Sequence, residues 1–584
     1  MDVITERKAA TLLRRIASRG RTKPLVAPRQ NKPHFDAPAE GCLYFERTEP
    51  ESQGVSSEML CDFVDELLGD RRTAINTLLV LRNGKVICEA SKYPYRFDTM
   101  HVCYSFSKTV IGLAICMLID EGRISLDDRV QSFFGDLKPP VVNPLQRGLK
   151  IRHLMNMTSG VRLNELAAVT ETDWVRCFLE SIPKTEPGTV FEYNSMNSYM
   201  LSAIITRVTG LAASEYLETR LFAPLEIAEK YWSKCPCGID CGGWGLYLLP
   251  EDMAKIGQLI LQGGEWQGRQ LVSKALIDDM CRKHADVPKA VSHYNYGYQI
   301  WLNEDPQILA LNGMFGQNTL IFPQNGIIIS MTGGNENIFH DNISFEICTK
   351  YFGGLPQTDV PLKRDVKSFN ALRELQNIYS TSKVPMTLRR RLGVPMPLPA
   401  ESADWDGSAY LYQAIESAST GILPLTLQCC HNCFAKGIKR VSFDVVQGRF
   451  MLTVTEGSAV YKIPVGFDEA ATGEIAIGED SYKIATVGRF MIDEDDDEIL
   501  LVKIHFVEMG AVRILRFEPH GDRLDTTFSE LPGADFFSNG VSHMICDIKN
   551  IPIVRDLISG GGNELLKYAS KQAFVPTATG LRMR

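Results

Sequence analysis

Residues 104–130 read YSFSKTVIGLAICMLIDEGRISLDDRV, and this stretch decides the interpretation of the chain. Ser105 and Lys108 stand three positions apart, and an apolar run follows them at residues 110–119. A run of this length without a polar stripe is typical of a helix that is buried on all sides. If the helix begins near Ser105, the serine and lysine side chains lie on one face of its first turn.

This serine–lysine pair has a chemical use. A serine hydroxyl is a weak nucleophile and needs a base. Burial and the positive end of a helix both disfavour the ammonium form of a lysine, so we expect Lys108 to accept the hydroxyl proton of Ser105. The helix start also offers backbone N–H groups to an oxyanion. Ser-x-x-Lys alone equally describes a helix cap followed by a surface lysine, so the surrounding sequence must decide.

The surrounding sequence resembles the class C β-lactamase and penicillin-binding-protein superfamily. In that family a buried helix after the active serine runs into Glu-Gly-x-Leu-x-Leu-Asp-Asp-x-Val, which residues 121–130 match with Ile124 at the first leucine. Five further blocks follow in family order: IRHLMNMTSGV at 151–161, EPGTVFEYNSMNSYMLS at 186–202, the glycine-rich block and helix at 242–273, YNYGYQIW at 294–301 and NGMFGQNTLIFP at 312–323. Together the blocks cover just over half of the chain.

The resemblance implies a role for individual residues. Ser105 matches the serine that is acylated, and Lys108 matches its partner lysine. Tyr193 matches the tyrosine of the family's Tyr-x-Asn element, whose phenol relays protons to and from the serine and the leaving group. The oxyanion hole is expected at the backbone N–H groups of Ser105 and Gln317.

The sequence also departs from the family at the expected substrate contacts. Ser195 stands where Tyr-x-Asn has asparagine, and Met314, Phe315 and Gly316 replace the family's Lys-Thr-Gly triplet. In β-lactamases and DD-peptidases that lysine and threonine help to hold a substrate carboxylate, which a thioether and a phenyl ring cannot do. Both departures resemble the esterase and 6-aminohexanoate-dimer-hydrolase branch of the superfamily.

The order of the predicted elements indicates the fold class. Asn83-Gly84 between two apolar runs predicts a hairpin, helices follow it, and strands return at residues 319–322 and 326–331. This order predicts an α+β domain, an antiparallel sheet flanked by helices with a helical insertion, as in the β-lactamase/transpeptidase-like fold. Regular short strands after Trp405 predict a C-terminal all-β barrel or sandwich. We therefore divide the chain into a flexible N-terminal extension at 1–40, a serine hydrolase domain at 41–352, a linker at 353–403, a β domain at 404–550 and a C-terminal tail at 551–584.

Composition limits which classes of binding partner and which cellular compartment we expect for the protein. The net charge of -8 provides no electrostatic reason to bind nucleic acid or an anionic membrane. The 15 cysteines suit reduced thiols, and the N-terminus shows no secretory signal, so we expect a cytoplasmic protein, and a homo-oligomer stays open. The cysteines at 235, 237 and 241 and the CCHNC run at 429–433 fit zinc spacing only loosely. We therefore expect neither a metal nor a cofactor.

These observations predict a serine hydrolase that cleaves a small-molecule ester or amide through a Ser105 acyl-enzyme. Two alternatives stay open. One is a binding or scaffold protein that keeps the fold but has lost turnover, which the altered triplet at 314–316 favours. The other is a true β-lactamase or DD-peptidase, which the missing export signal disfavours.

Overall fold

Two bodies of regular structure follow each other along the chain, and we call them the first domain and the barrel. The computed structural model describes residues 31–36, 44–70, 72–137, 144–161, 163, 168–169, 171–289, 291–336, 343–357, 360–381, 397–413, 417–431, 433–492, 498–533 and 573–583. The first domain comprises strands β1–β12 and helices α1–α11, and the barrel comprises β13–β22 with their connections. In the described part of the chain, no helix combines the length and the apolar character that crossing a membrane requires.

The first domain is built on a seven-stranded antiparallel sheet of order β2-β1-β12-β11-β10-β9-β8. Its first two strands precede the helical insertion in the chain, and the other five follow it. The strands of the domain are β1 Ile75–Arg82, β2 Lys85–Ser91, β3 His101–Val102, β4 Tyr231–Trp232, β5 Leu246–Leu248, β6 Glu265–Trp266, β7 Arg269–Gln270, β8 Asn295–Tyr296, β9 Trp301–Glu304, β10 Gln307–Gly313, β11 Gln317–Phe322 and β12 Ile327–Gly333. Strands β3, β5 and β4 form a separate small sheet beside the helical insertion.

Helices cover both faces of the seven-stranded sheet. They are α1 Ser57–Gly69, α2 Ser107–Asp120, α3 Pro144–Arg147, α4 Ile151–Met155, α5 Trp174–Glu180, α6 Ser195–Thr209, α7 Ala213–Leu217, α8 Pro250–Leu261, α9 Lys274–Met280, α10 Ile343–Phe352 and α11 Val366–Ser380. Successive side chains of a strand point to opposite faces. Leu78 and Val80 of β1 accordingly join the core formed with α1 and α10, whereas Leu79 and Leu81 join the core formed with α2, α6 and α8. The α+β architecture expected from the sequence is confirmed.

The barrel is one antiparallel sheet of ten strands that curls until it is nearly closed. Its strands are β13 Ser408–Tyr412, β14 Ile438–Val446, β15 Arg449–Glu456, β16 Ala459–Val465, β17 Ala471–Ile477, β18 Asp480–Ile492, β19 Glu498–Phe506, β20 Ala511–His520, β21 Arg523–Leu531 and β22 Thr577–Arg582. Gly466, just after edge strand β16, pairs with Val487 beside the other edge. Alternate residues of β15, such as Phe450 and Leu452, are buried inside. The predicted C-terminal all-β domain is confirmed.

Two elements lie in segments that the sequence assigned to the linker, where it indicated one helical patch, and to the C-terminal tail. Val366–Ser380, inside the predicted linker, forms helix α11, which packs on α1 through Leu372. Thr577–Arg582, inside the predicted tail, forms β22 and pairs with β13 and β21. Most residues of β22 are exposed or half-buried, so the segment lacks the apolar alternation that identifies a strand in a sequence. Residues 1–30, 382–396 and 534–572 lie outside the described residues, and the domain boundaries stay predictions.

Candidate active site

Ser105 lies in a tight turn, Tyr104–Phe106, that runs directly into α2. Lys108 is in the first turn of α2 and only 1% of it is exposed. Its Nζ atom donates hydrogen bonds to Ser105 Oγ at 2.8 Å and to the main-chain oxygen of Gly243, also at 2.8 Å. The three-residue spacing therefore brings the two side chains together as the sequence predicted.

Local hydrogen bonds fix the turn that carries Ser105. Ser107 Oγ donates to the main-chain oxygen of Tyr104 at 2.6 Å, and the N–H of Leu246 in β5 donates to Ser107 Oγ at 3.3 Å. The N–H of Cys103 donates to the oxygen of Leu246 at 2.7 Å. The turn that carries Ser105 is thus tied to the small sheet on one side and continues on the other into α2, which is buried from Ser107 to Leu118.

The main-chain oxygen of Gly243 can reach Lys108 because Gly242 and Gly243 have no side chains. A Cβ atom on Gly243 would lie 2.7 Å from the main-chain oxygen of Ser195, and one on Gly242 would lie 2.6 Å from that of Ser198. Any side chain at these positions would push this segment away from the start of α6. The glycine-rich block of the sequence therefore serves a close approach of two backbones.

Tyr193 lies beside the serine–lysine pair. Lys108 Nζ is 4.8 Å from the centre of the Tyr193 ring. Trp301 stacks on this ring at 5.3 Å between centroids, and Tyr296 meets it edge-on at 6.1 Å. Asn194, the next residue, caps α6 by accepting the N–H of Met196 at 2.9 Å.

Trp301 contacts Tyr193, although the sequence motifs assign it no role. It is almost fully buried at the start of β9, and its indole covers the tyrosine that the family pattern selects. The available signal was the aromatic block YNYGYQIW at 294–301, whose tyrosines and tryptophan sit in family order but carry no assigned chemistry.

Ser195 is the first residue of α6 and is buried. Its main-chain oxygen and Cβ lie against Gly243, whose own oxygen accepts the Lys108 hydrogen bond. The structure therefore brings Ser195 to the neighbourhood of Lys108 and Tyr193, as the sequence predicted.

The turn at Met314–Gly316 connects β10 to β11 beside the turn that carries Ser105. A Cβ on Gly313 would lie 2.3 Å from the main-chain oxygen of Cys103, so this hairpin presses on the chain two residues before Ser105. The side-chain amide of Gln317 makes two hydrogen bonds with the backbone of Gly333. Its Nε2 donates to the oxygen of Gly333 at 2.7 Å, and its Oε1 accepts the N–H of Gly333 at 3.4 Å. These bonds fix the start of β11, where the second oxyanion N–H is expected.

Phe315, which the sequence assigned to substrate binding, is buried beside Tyr104. Only 1% of it is exposed, and its ring meets that of Tyr104 edge-on at 5.1 Å between centroids. Both residues belong to a hydrophobic cluster that continues into the barrel, and Met314 packs against the same cluster. The Phe315 side chain therefore contributes to a contact between the two domains, and its assignment to substrate binding stays a prediction.

Both aromatic residues have strained backbones. Tyr104 has φ of 45° and Phe315 has φ of 65°, in the left-handed region that residues with a Cβ seldom adopt. Each such residue costs about 1–3 kcal/mol and persists only where the surrounding structure holds it. Tyr104 directly precedes Ser105, and Phe315 lies two residues before Gln317. The strain is thus located at the two turns that would bind an oxyanion.

Burial controls the titration of the groups that precede the nucleophile. Burial raises the pKa of the Cys103 thiol well above its usual range, so this cysteine is a protonated, packed thiol at neutral pH. Burial lowers the pKa of His101 to about 4, so its imidazole is neutral at pH 7. Among the described residues, no three side chains of His, Cys, Asp or Glu are grouped so that they could hold a metal ion.

Comparisons with known proteins give the following matches. Residues 62–333 match the model of the Beta-lactamase family. The 6-aminohexanoate-dimer hydrolase of Paenarthrobacter ureafaciens is 26% identical over 284 residues, which are 44% of this chain and 72% of that protein. Protein flp of Staphylococcus aureus strain MW2 is 29% identical over 167 residues, 26% of this chain and only 33% of that protein. Among solved structures, a putative 6-aminohexanoate-dimer hydrolase from Bacillus anthracis is 21% identical, with a TM-score of 0.43 over 53% of this chain and 86% of that chain.

Proposed function

The part of the chain at residues 62–333 belongs to the Beta-lactamase family, and from this premise we propose a specific reaction for it. The protein is a serine hydrolase that cleaves small esters or amides of the esterase and amidase type. Ser105 is the nucleophile and becomes acylated, Lys108 and Tyr193 transfer protons, and the backbone N–H groups of Ser105 and Gln317 bind the oxyanion.

One observation carries this proposal, namely the 2.8 Å contact between Lys108 Nζ and Ser105 Oγ at a lysine that is 1% exposed. Burial disfavours a charged ammonium. In its neutral form the amine can keep its N–H donation to the oxygen of Gly243 while the contact with Ser105 reverses, so that the lone pair of Nζ accepts the hydroxyl proton. The base is therefore already within the 2.6–3.2 Å range that proton transfer requires.

The reaction proceeds in two halves. Ser105 Oγ attacks the acyl carbon of the substrate and passes its proton to Lys108, and the negative charge on the carbonyl oxygen is held by the N–H groups of Ser105 and Gln317. The tetrahedral adduct collapses when the leaving alcohol or amine receives a proton through Tyr193. Water then attacks the acyl-enzyme along the same route and releases the acid and free Ser105.

The family relatives support an amide or ester as the substrate. The hydrolase of Paenarthrobacter ureafaciens is named for a 6-aminohexanoate dimer, and it aligns with 44% of this chain. A half-buried serine nucleophile next to a buried lysine is suited to acyl transfer from either an ester or an amide, since both proceed through the same tetrahedral adduct.

Met314 argues against a carboxylate-bearing β-lactam as the preferred substrate. A bound carboxylate loses water and must be paired, and an unpaired buried charge costs several kcal/mol. The family's lysine and threonine are replaced here by a thioether and by a ring that is buried against Tyr104. We expect p-nitrophenyl butyrate to have a larger kcat/KM than nitrocefin, and the reverse ranking would restore the β-lactamase alternative.

Covalent labelling tests the nucleophile. Treatment with a fluorophosphonate probe should add one adduct to the intact mass, located on Ser105, and Ser105→Ala should abolish it. Cys103→Ala is the matched control, because it removes the thiol two residues before Ser105 and leaves the serine in place, so the variant should keep the adduct. An adduct that persists in Ser105→Ala contradicts the assignment, and an adduct without any ester or amide turnover favours the scaffold alternative.

A further inference from the structure

The barrel reaches the first domain through the connection at residues 507–510, which we call the β19–β20 turn. The N–H of Val102 donates to the main-chain oxygen of Glu508 at 3.0 Å, and Tyr247 Oη donates to Met509 Sδ at 3.6 Å. Val102 lies three residues before Ser105, and Tyr247 is its partner in the small sheet. The turn of one domain thus bonds directly to the strand that leads to the nucleophile of the other.

The same turn touches the backbone beside Gln317. A Cβ on Gly510 would lie 2.2 Å from the main-chain oxygen of Gly333, and a Cβ on Gly334 would lie 2.4 Å from that of Gly510. The barrel segment and the first-domain segment therefore meet backbone to backbone, with glycine in both segments. Gly333 is also the residue that the Gln317 amide holds through both its N–H and its oxygen.

The two residues with strained backbones, Tyr104 and Phe315, also contact the barrel. The rings of Tyr104 and Phe315 lie in one hydrophobic cluster with barrel residues such as Ile504, Phe506 and Met509. A backbone in the left-handed region relaxes unless its side chain is held elsewhere. Tyr104 and Phe315 lie at the two turns that would bind the oxyanion. Both have a left-handed backbone, and both have their side chains in the cluster shared with the barrel.

From these contacts we infer that the β19–β20 turn and the cluster beside it position the Ser105 and Gln317 turns, so that the barrel is part of the catalytic unit. The inference rests on the proposed role of Ser105. Gly510 and Met509 are positioning residues: neither touches substrate, and each acts through Val102, Tyr247 or Gly333. A displacement of about 1 Å at a reacting group can cost about 100-fold in rate.

Two glycines of the barrel provide a matched pair of variants. Gly510 and Gly521 both have φ of 65° and both lie in connections between neighbouring strands, but a Cβ on Gly521 meets no atom within 4 Å. Gly510→Ala and Gly521→Ala therefore add the same backbone strain to the same barrel. Only the first variant pushes the barrel away from Gly333.

The readouts are the rate of fluorophosphonate labelling at Ser105 and the kcat and KM for p-nitrophenyl butyrate, with the thermal midpoint measured alongside. Gly510→Ala should label about 10- to 100-fold more slowly and lose the same factor from kcat, with KM changed less. Gly521→Ala should label and turn over within about twofold of the unaltered protein, because a Cβ there contacts nothing.

The outcomes separate the two levels of the proposal. Absence of Ser105 labelling in the unaltered protein rejects the proposed function itself. Labelling of the unaltered protein, Gly510→Ala and Gly521→Ala at one rate overturns the positioning role while leaving the function intact. A purely structural role would lower the midpoints of both variants and leave kcat below that midpoint unchanged, which also overturns the inference.

A milder pair decides the question if Gly510→Ala does not fold. Tyr247→Phe removes the hydroxyl that contacts Met509, and Tyr231→Phe removes a hydroxyl from the residue opposite Tyr247, whose bond instead goes to the oxygen of Asn31. Tyr247→Phe should slow labelling by about threefold, in keeping with the loss of one hydrogen bond, while Tyr231→Phe keeps the normal rate. Equal rates in these two variants overturn the inference.

Discussion

The first domain and the barrel contribute different things to one site. The first domain supplies reactive side chains, with Ser105 and Lys108 in contact at 2.8 Å beside the ring of Tyr193. The barrel provides a main-chain oxygen that accepts the N–H of Val102, a thioether that accepts the hydroxyl of Tyr247, and apolar side chains that share a cluster with Tyr104 and Phe315. Under the proposed function, chemistry and positioning are divided between the two bodies, so variants in the first should remove rate outright and variants at the contact should reduce it.

Replacing Lys108 tests the chemical half of this comparison and should have the largest effect. General-base assistance contributes about 10²–10⁴-fold in rate. Because Lys108 Nζ contacts Ser105 Oγ, Lys108→Ala should lower kcat for p-nitrophenyl butyrate by at least about 100-fold. Stopped-flow or steady-state release of p-nitrophenol measures the loss.

Lys108→Arg separates proton transfer from charge. Arginine keeps a cation at this position but does not deprotonate in proteins. The arginine variant should therefore be as slow as the alanine variant. An arginine variant with near-normal kcat would mean that a fixed positive charge, and not a base, is what Ser105 needs.

The contact between the domains contains a buried ion pair whose loss should be the next largest effect. Lys32, in the segment at 31–36, pairs with Glu508 of the β19–β20 turn at 2.9 Å, and each side chain is only 2% exposed. Burial lowers the pKa of Lys32, while the Glu508 carboxylate opposes that shift. Lys32→Met leaves a buried carboxylate without its cation, which destabilises a protein by about 3–5 kcal/mol. Urea denaturation should show this loss.

The double variant Lys32→Met with Glu508→Leu is the control for that measurement. Removing both charges and filling the space with apolar atoms is often neutral or stabilising. The double variant should therefore recover most of the stability that Lys32→Met loses. If the single variant is as stable as the unaltered protein, the segment at 31–36 does not tie the two domains together.

The sequence predicted that Ser105 and Lys108 lie in contact, which the structure shows, and the reason is local. Ser105 and Lys108 are joined by one turn of helix, so their contact follows from spacing. Tyr193, Ser195 and Gln317 were placed by family blocks in fixed order, and the structure brings Tyr193 and Ser195 to Lys108 and Gln317 to the neighbouring turn. The barrel strands were recognisable because alternate residues face its interior.

The contact between the barrel and the first domain could not be predicted from the sequence, because it depends on which surfaces of the two domains meet. The connections that hold Gly510 and Gly521 each place a glycine at φ of 65°. Local sequence sets that φ, but only the placement of the barrel decides that Gly510 meets Gly333 while Gly521 meets nothing. Phe315 was assigned to substrate for the same reason: the triplet identifies the turn, not the direction in which its ring is buried.

Acid should weaken the structure near the domain contact through His101. This residue is buried, and neither ring nitrogen has a hydrogen-bond partner among the described residues. Burial lowers the pKa of His101 to about 4 from an ordinary value near 6.5. Between these two values the unfolded chain binds a proton that the folded chain does not, so this contribution to stability is complete above pH 6.5 and is lost as the pH falls to 4.

The full contribution of His101 is about 3 kcal/mol at pH 4. His101→Phe should flatten the fall of the unfolding free energy between pH 6.5 and pH 4 by about this amount. Some slope remains, because burial also lowers the pKa of His505 to about 4. His520→Gln, a change at an exposed histidine in the barrel, is the control and should keep the original slope. An unchanged slope in His101→Phe would mean that His101 is not buried as a neutral ring.

The smallest effect is expected at Trp301, which belongs to the first domain but acts as the barrel does, by position. Its indole stacks on Tyr193 at 5.3 Å and 29°, and such pairs contribute about 0.5–1.5 kcal/mol beyond their buried area. If the stack holds the phenol in line for proton transfer, Trp301→Leu should lower kcat by up to about tenfold, since about 1.4 kcal/mol corresponds to that factor. Trp266 stacks on Tyr44 with nearly the same geometry, 5.1 Å and 28°. Trp266→Leu therefore removes an equivalent buried indole away from the site, and at a temperature where both variants are folded it should keep normal kcat. Equal kcat values in the two variants would assign Trp301 to the core alone and confine the positioning of the site to the barrel contact.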